Sequence, residues 1–129
     1  MTIEQRAEQA VQLKSTACNC CQAVLGALAD QTGLSNEQLM QLGSGFAVGM
    51  GNMEATCGAL VGAVMAAGCG LQGKGTLRYA RQLSEQFRSR CGATLCKELK
   101  GRDSGKVLCP CEECVRNAVL AYGEVVGLR

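Results

Sequence analysis

The number and spread of the cysteines constrain this chain more than any other feature of its sequence. Ten cysteines occur in 129 residues, dispersed from residue 18 to residue 114. Such thiols form disulfides in an oxidising compartment, whereas in a reducing one they stay available for metal binding or redox chemistry. Residues 1–6 do not resemble an export signal, and long helical patterns are unlike a disulfide-rich miniprotein. We therefore expect a cytoplasmic protein that uses its thiols for metal or redox chemistry.

The lack of histidine excludes several kinds of site. With no histidine in the chain, there is no Ser-His-Asp or Cys-His catalysis, no zinc site with imidazole ligands and no Cys-x-x-Cys-His haem attachment. No apolar run reaches the roughly 18 residues that a membrane-spanning helix needs. Any bound metal must therefore be held mainly by sulfur.

Helical patterns cover most of the chain, and no strand-like alternation is found. Residues 2–5 and 35–38 both have the form of a capping box, which starts a helix. Residues 57–68 are small and apolar, as expected for a buried central helix, Thr76 is expected to cap an amphipathic helix, and Pro110 suits the first turn of a last helix. The prediction is an all-α fold: a small single-domain helical bundle over residues 1–129.

A glycine-rich segment interrupts these helices. Its glycines expose backbone N–H groups that can donate hydrogen bonds to sulfides or thiolates, if a cluster lies close by. On that basis, the candidate backbone contacts to a cofactor are Gly43, Gly45, Gly49, Gly51 and the following Gly58. The alternative is that the segment only turns the chain between two helices.

Two cysteines lie at predicted helix starts. Cys57 follows Thr56, and Cys111 follows Pro110. The partial positive charge and free N–H groups of a helix N-terminus lower a thiol's pKa, and the thiolate is both the metal ligand and the nucleophile. Both metal binding and thiol redox chemistry are consistent with this placement.

Several segments together resemble the family of redox-active proteins named for its C-GCAxxG-C-C cysteine pattern. The matching segments span most of the chain, and they are residues 19–24, 42–46, 57–59 with 62–63, 95–99, and Cys111 before Val115. The resemblance implies a helical protein. Through the family's own likeness to the iron-sulfur part of split-Soret cytochromes, it also implies a [4Fe-4S] or [2Fe-2S] cluster.

The same resemblance implies the ligands, which are the four pattern cysteines Cys20, Cys57, Cys96 and Cys111. The function expected from it is electron transfer to a redox partner protein, without turnover of a substrate. Cys21, Cys109 and Cys114 lie beside pattern positions and are candidates to enlarge the site or to resolve an oxidised thiol. Cys18, Cys69 and Cys91 are expected to be small buried hydrophobic residues.

Two other functions remain open from the residues alone. Cys111 and Cys114 form a Cys-x-x-Cys pair at a helix start, as in thiol-disulfide oxidoreductases, although the strands of a thioredoxin-like fold are missing. Four cysteines could also hold a structural zinc ion in an interaction module.

Charge is distributed unevenly along the chain. The stretch from Lys74 to Lys106, here called the basic band, has nine Lys or Arg residues against three acids, whereas the whole chain has a net charge of +2. A solvated helix face explains such a band most simply, and docking of an acidic redox partner is the next explanation. With four aromatic residues in all, nucleic acid binding is not expected. Homodimerisation through small-residue helices is a further expectation.

Overall fold

The computed structural model describes residues 1–129. It contains eight α-helices and one π-helical turn, with no strand. In chain order these are α1 (Ile3–Thr16), α2 (Cys20–Ala27), α3 (Ala29–Thr32), α4 (Asn36–Gly43), the π turn (Gly49–Met53), α5 (Gly58–Gly70), α6 (Thr76–Cys91), α7 (Cys96–Leu99) and α8 (Cys111–Val126). The predicted all-α class is confirmed.

Capping boxes start three of the helices. The boxes predicted at Thr2 and Ser35 are present at the starts of α1 and α4. A third box, which the sequence analysis missed, starts α2: the Asn19 side chain accepts from the Gln22 N–H at 2.8 Å, and the Gln22 side chain accepts from the Asn19 N–H at 3.0 Å. This box makes Cys20 the first residue of α2.

The predicted cap at Thr76 is wrong. Gly75 is the cap of α6 and lies in the left-handed region at φ 72°, so Thr76 becomes the first helical residue. Its hydroxyl is buried without a hydrogen-bond partner. The glycine takes the cap position because it adopts a positive φ without steric cost.

Helix α5 is the central small-residue helix that the sequence predicts. It packs against α2, α3, α6 and α8. A Cβ at Gly62 would lie 2.9 Å from the carbonyl oxygen of Cys21, so only glycine permits the close crossing of α5 over α2. Large side chains complete the core around it, and Phe87 and Leu83 of α6 and Val115 and Val119 of α8 are fully buried.

The segments that precede α5 and α7 are joined by a short antiparallel bridge. The Cys57 N–H donates to the Thr94 carbonyl at 2.8 Å, and the Cys96 N–H donates to the Ala55 carbonyl at 3.1 Å. Two cysteines that are far apart in sequence are thereby fixed side by side at one end of the bundle.

None of the helices combines the length and the apolar character required to cross a bilayer.

Candidate metal centre

The four cysteines of the pattern line one narrow cavity. It has a volume of about 20 Å³, and its walls include Cys20, Cys57, Cys96 and Cys111 together with Cys114. Space of this size holds about one water molecule. The structure therefore brings together the four sequence-predicted ligands, which come from four separate segments of the chain.

Each of these four cysteines lies at the start of a different helix. Cys57 is the cap residue of α5, and Cys20, Cys96 and Cys111 are the first residues of α2, α7 and α8. Unpaired N–H groups and the helix dipole make the start of a helix favourable for negative charge. The sequence patterns predicted this placement for Cys57 and Cys111 but not for the other two, although the Asn19 capping box signals it for Cys20.

The proposed glycine contacts divide into two groups. Gly49 and Gly58 line the cavity, whereas Gly43, Gly45 and Gly51 do not. A Cβ at Gly49 would lie 2.7 Å from the Cβ of Cys96, which explains why the chain needs a glycine at this wall. Gly43 instead packs against Cys21 and Gln22 of α2.

The π turn carries backbone strain beside the cavity. Val48, which precedes it and lines the cavity, has φ 51°, and Met50 has φ 66°. A positive φ is unfavourable for such side chains, above all for a β-branched one. Glu54 and Arg102 form an ion pair at 2.8 Å that ties this segment to the residues after α7. The strained backbone is thus held in place by contacts outside it.

Lys100 brings a positive charge into the cavity, which the sequence analysis missed. Its side chain lines the cavity and donates a hydrogen bond to Cys111. The hydrogen bond from the Cys20 thiol, followed by that from Lys100, lowers the pKa of Cys111 to about 5. Burial alone would lower the pKa of Lys100, but the hydrogen bond with Cys111 raises it. The pair is therefore an ammonium beside a thiolate.

The other cavity thiols differ in their ionisation. A hydrogen bond with Cys114 and the backbone N–H groups at the start of α5 lower the pKa of Cys57, against the effect of burial. The pKa of Cys20 is raised, because its thiol donates to Cys111 and is buried. Burial also raises the pKa of Cys96. Among the four pattern cysteines, the surroundings thus lower the pKa of two thiols, Cys57 and Cys111, and raise that of the other two.

These pKa values predict how Cys111 reacts in the metal-free protein. Because its pKa is about 5, Cys111 is a thiolate at neutral pH, and its alkylation by iodoacetamide should be nearly independent of pH above about 6 and fall tenfold per unit below 5. Lys100→Met removes the ammonium, raises the pKa of Cys111 and should slow alkylation at pH 6 by about tenfold. Peptide mass spectrometry measures the modification of Cys111.

Lys97→Met is the matched control for this experiment. Lys97 lies in α7, which Lys100 directly follows, but it pairs with Glu54 at 3.3 Å on the surface. Its replacement should leave the pH profile of Cys111 unchanged. An alkylation rate that keeps rising up to pH 9 in the wild-type protein would contradict the assigned thiolate.

A second group of thiols, the thiol triad, lies next to the cavity. The sulfur atoms of Cys91, Cys109 and Cys114 all lie within 4.8 Å of one another, and all three residues are buried. This arrangement is able to bind a metal ion. Cys91 was expected to be a small buried hydrophobic residue, and its burial is confirmed. Its proximity to the other two thiols was missed, since it depends on where α6 ends relative to the start of α8.

The remaining cysteines lie apart from both groups. The Cys21 sulfur contacts the Met65 sulfur at 4.0 Å, and burial raises the pKa of Cys21 to about 12. The Cys18 sulfur contacts the Met40 sulfur at 3.8 Å. Cys69 is half-buried in α5. Cys18 and Cys69 were expected to be small buried residues, but both are only half-buried.

Some side chains of the basic band make contacts within the protein. Lys97 and Arg102 pair with Glu54, and Lys100 lines the cavity. Arg78, Arg81 and other side chains of α6 remain exposed. Partner docking at this band stays a prediction.

The comparisons with known proteins agree with the cysteine pattern. The family described as "Putative redox-active protein (C_GCAxxG_C_C)" matches residues 18–125, which include both the cavity and the thiol triad. No curated protein and no solved structure matches the chain.

Proposed function

The chain belongs to the C_GCAxxG_C_C family of redox-active proteins, and from this premise we propose that Cys20, Cys57, Cys96 and Cys111 bind an iron-sulfur cluster for electron transfer. The observation that carries the proposal is the convergence of these four thiols on one cavity. Four thiolates are the usual complement of a [2Fe-2S] or [4Fe-4S] cluster.

The surroundings of the four thiols suit an anionic cofactor. The starts of α2, α5 and α8 meet at the cavity, each with free backbone N–H groups. Lys100 adds a full positive charge. Both features stabilise the negative charge of thiolates and sulfides, and hydrogen bonds of this kind tune a cluster's potential.

The spacing of the sulfur atoms favours a cluster over a single zinc ion. Across the chain, the thiol triad is the one group of metal-binding side chains whose donor atoms all lie within 4.8 Å of one another. The four cavity thiols are more widely spread, whereas sulfur atoms about 2.3 Å from one zinc ion would lie closer together. Zinc also has no redox chemistry, in contrast with the character of the family.

A cluster requires the cavity to widen. The cavity volume of about 20 Å³ holds about one water molecule, which is less than an inorganic core of iron and sulfide needs. We expect cluster binding to rotate the Cys20 and Cys111 side chains and so to enlarge the cavity. The bound cluster would supply one-electron chemistry, while the protein supplies thiolate ligands, backbone N–H groups and the charge of Lys100.

The test is metal analysis of protein purified without oxygen. We expect a brown protein with two or four iron atoms and equal acid-labile sulfide per chain, which loses its visible absorption on reduction. A colourless protein with one zinc ion per chain would identify the structural zinc module instead. A metal-free protein with a reversible Cys111–Cys114 disulfide would identify a thiol-disulfide oxidoreductase. Either result would overturn the proposal.

A further inference from the structure

The thiol triad has no part in the proposed electron transfer, and it has the composition of a metal site of its own. Cys91, Cys109 and Cys114 have exposed fractions of 4%, 4% and 2%. We propose that these three thiols form a second, separate site that binds a single monovalent copper ion.

Three segments position the triad. Cys91 ends α6, and Cys114 lies in the first turn of α8. Cys109 is fixed because the Leu99 carbonyl accepts from the Cys109 N–H at 3.2 Å. The Cys114 thiol also donates to the Cys109 carbonyl at 3.5 Å. The three sulfur atoms are thus held by elements that the fold already fixes, so little ordering is needed for a metal to bind.

The distances suit one ion and not a cluster. Three sulfur atoms in a trigonal plane, each about 2.3 Å from an ion, would lie about 4.0 Å apart. The triad sulfur atoms, all within 4.8 Å of one another, reach this spacing by small side-chain rotations. Thiolates that bind different irons of a cluster stand farther apart than this.

The donor set selects a soft ion. Sulfur is the only donor that the triad offers, and thiolate ligands favour monovalent copper, zinc and iron-sulfur clusters among biological metals. Structural zinc sites take four protein ligands, whereas this buried group has three. Monovalent copper accepts three thiolates without a fourth ligand, and burial keeps out water and oxidants. Monovalent copper therefore fits both the number and the type of ligands in the thiol triad.

Asn117 supports the site from α8. Its side chain lies close enough to Cys91 and Cys109 to act on the pKa of both thiols, in the direction that favours the thiolate. An amide that donates to coordinated thiolates offsets part of their negative charge and holds their orientation, as outer contacts of metal sites commonly do. Arg90 lies next to Cys91 in the chain and adds a positive charge.

The test is competition for copper between the protein and a chromophoric chelator of Cu(I), without oxygen. Cys91→Ser and Cys109→Ser should each withdraw one copper ion fewer per chain than the wild type. The double variant should lose the same single ion and no more, because three thiols hold one ion together. X-ray absorption at the copper edge, compared between wild type and double variant, should assign three sulfur neighbours to the ion that is lost.

Cys18→Ser and Cys69→Ser are the matched controls, since these half-buried thiols lie outside the triad, and both should bind as much copper as the wild type. Circular dichroism checks that each variant stays helical. Asn117→Ala leaves all thiols in place and should weaken binding at the triad by tenfold or more.

Several results would overturn this inference. Equal copper uptake by Cys91→Ser and the wild type would do so, as would a loss of two ions in the double variant. Binding of Zn(II) at the triad in preference to Cu(I) would contradict the choice of ion. The cluster proposal is judged separately, because iron and sulfide analysis reports on Cys20, Cys57, Cys96 and Cys111 and not on Cys91 or Cys109.

Discussion

Replacing Cys57 by serine is expected to remove the proposed iron-sulfur cluster almost completely. Cys57 is the cap of α5 and lines the cavity, and the lowering of its pKa favours the thiolate form that a metal ligand needs. A serine hydroxyl is a hard, protonated group that replaces a thiolate poorly on iron. The same loss is expected for Cys20→Ser, Cys96→Ser and Cys111→Ser. Iron and sulfide content and visible absorption of anaerobic protein measure the effect.

Cys114→Ser is the most demanding control for this series. Cys114 lines the same cavity but is not one of the four pattern cysteines, so its variant should keep its iron. Cys69→Ser, remote from the cavity, should keep it as well. Full iron content in any of the four pattern variants would remove that residue from the ligand set.

Gly58→Ala is expected to destabilise the protein by at least about 3 kcal/mol, at the upper end of the cost of overpacking. A Cβ at Gly58 would lie 2.3 Å from the carbonyl oxygen of Phe46, far inside the contact distance. That oxygen belongs to the backbone and cannot rotate away as a side chain would. The gain in helix propensity from alanine, about 1 kcal/mol at most, does not offset this clash.

Gly45→Ala, in the glycine-rich segment before α5, provides the comparison. A Cβ at Gly45 would meet no atom within 4 Å, so its effect should stay within about 0.5 kcal/mol. Urea unfolding of the metal-free proteins, followed by circular dichroism, gives both free energies of unfolding. Equal stability of the two variants would show that the segment before α5 can move away from Gly58.

The helices could be predicted because their signals are local. The capping boxes at Thr2 and Ser35, and the small residues of α5, depend on neighbours within a few positions. The predicted cap at Thr76 was wrong because the neighbouring Gly75 also suits the cap position. The spacing of the residues does not decide between the two.

The candidate site could be predicted only in part, because the rest of it depends on tertiary contacts. The cysteine pattern indicated which thiols to group, but no local signal places Thr56 opposite Leu95 in the bridge that joins two of them. Lys100 and Cys91 were missed because their roles depend on the direction of α7 and on where α6 ends. Such contacts follow from packing between segments that are distant in sequence.

The wide separation of the cavity cysteines along the chain has a consequence for biosynthesis. Cys20 emerges from the ribosome about ninety residues before Cys111, the first residue of the last helix. Until Cys111 has been synthesised, the nascent chain therefore presents an incomplete set of these four thiols. A cluster held by all four thiols could therefore form only after α8 has left the ribosome and has packed against the rest of the bundle.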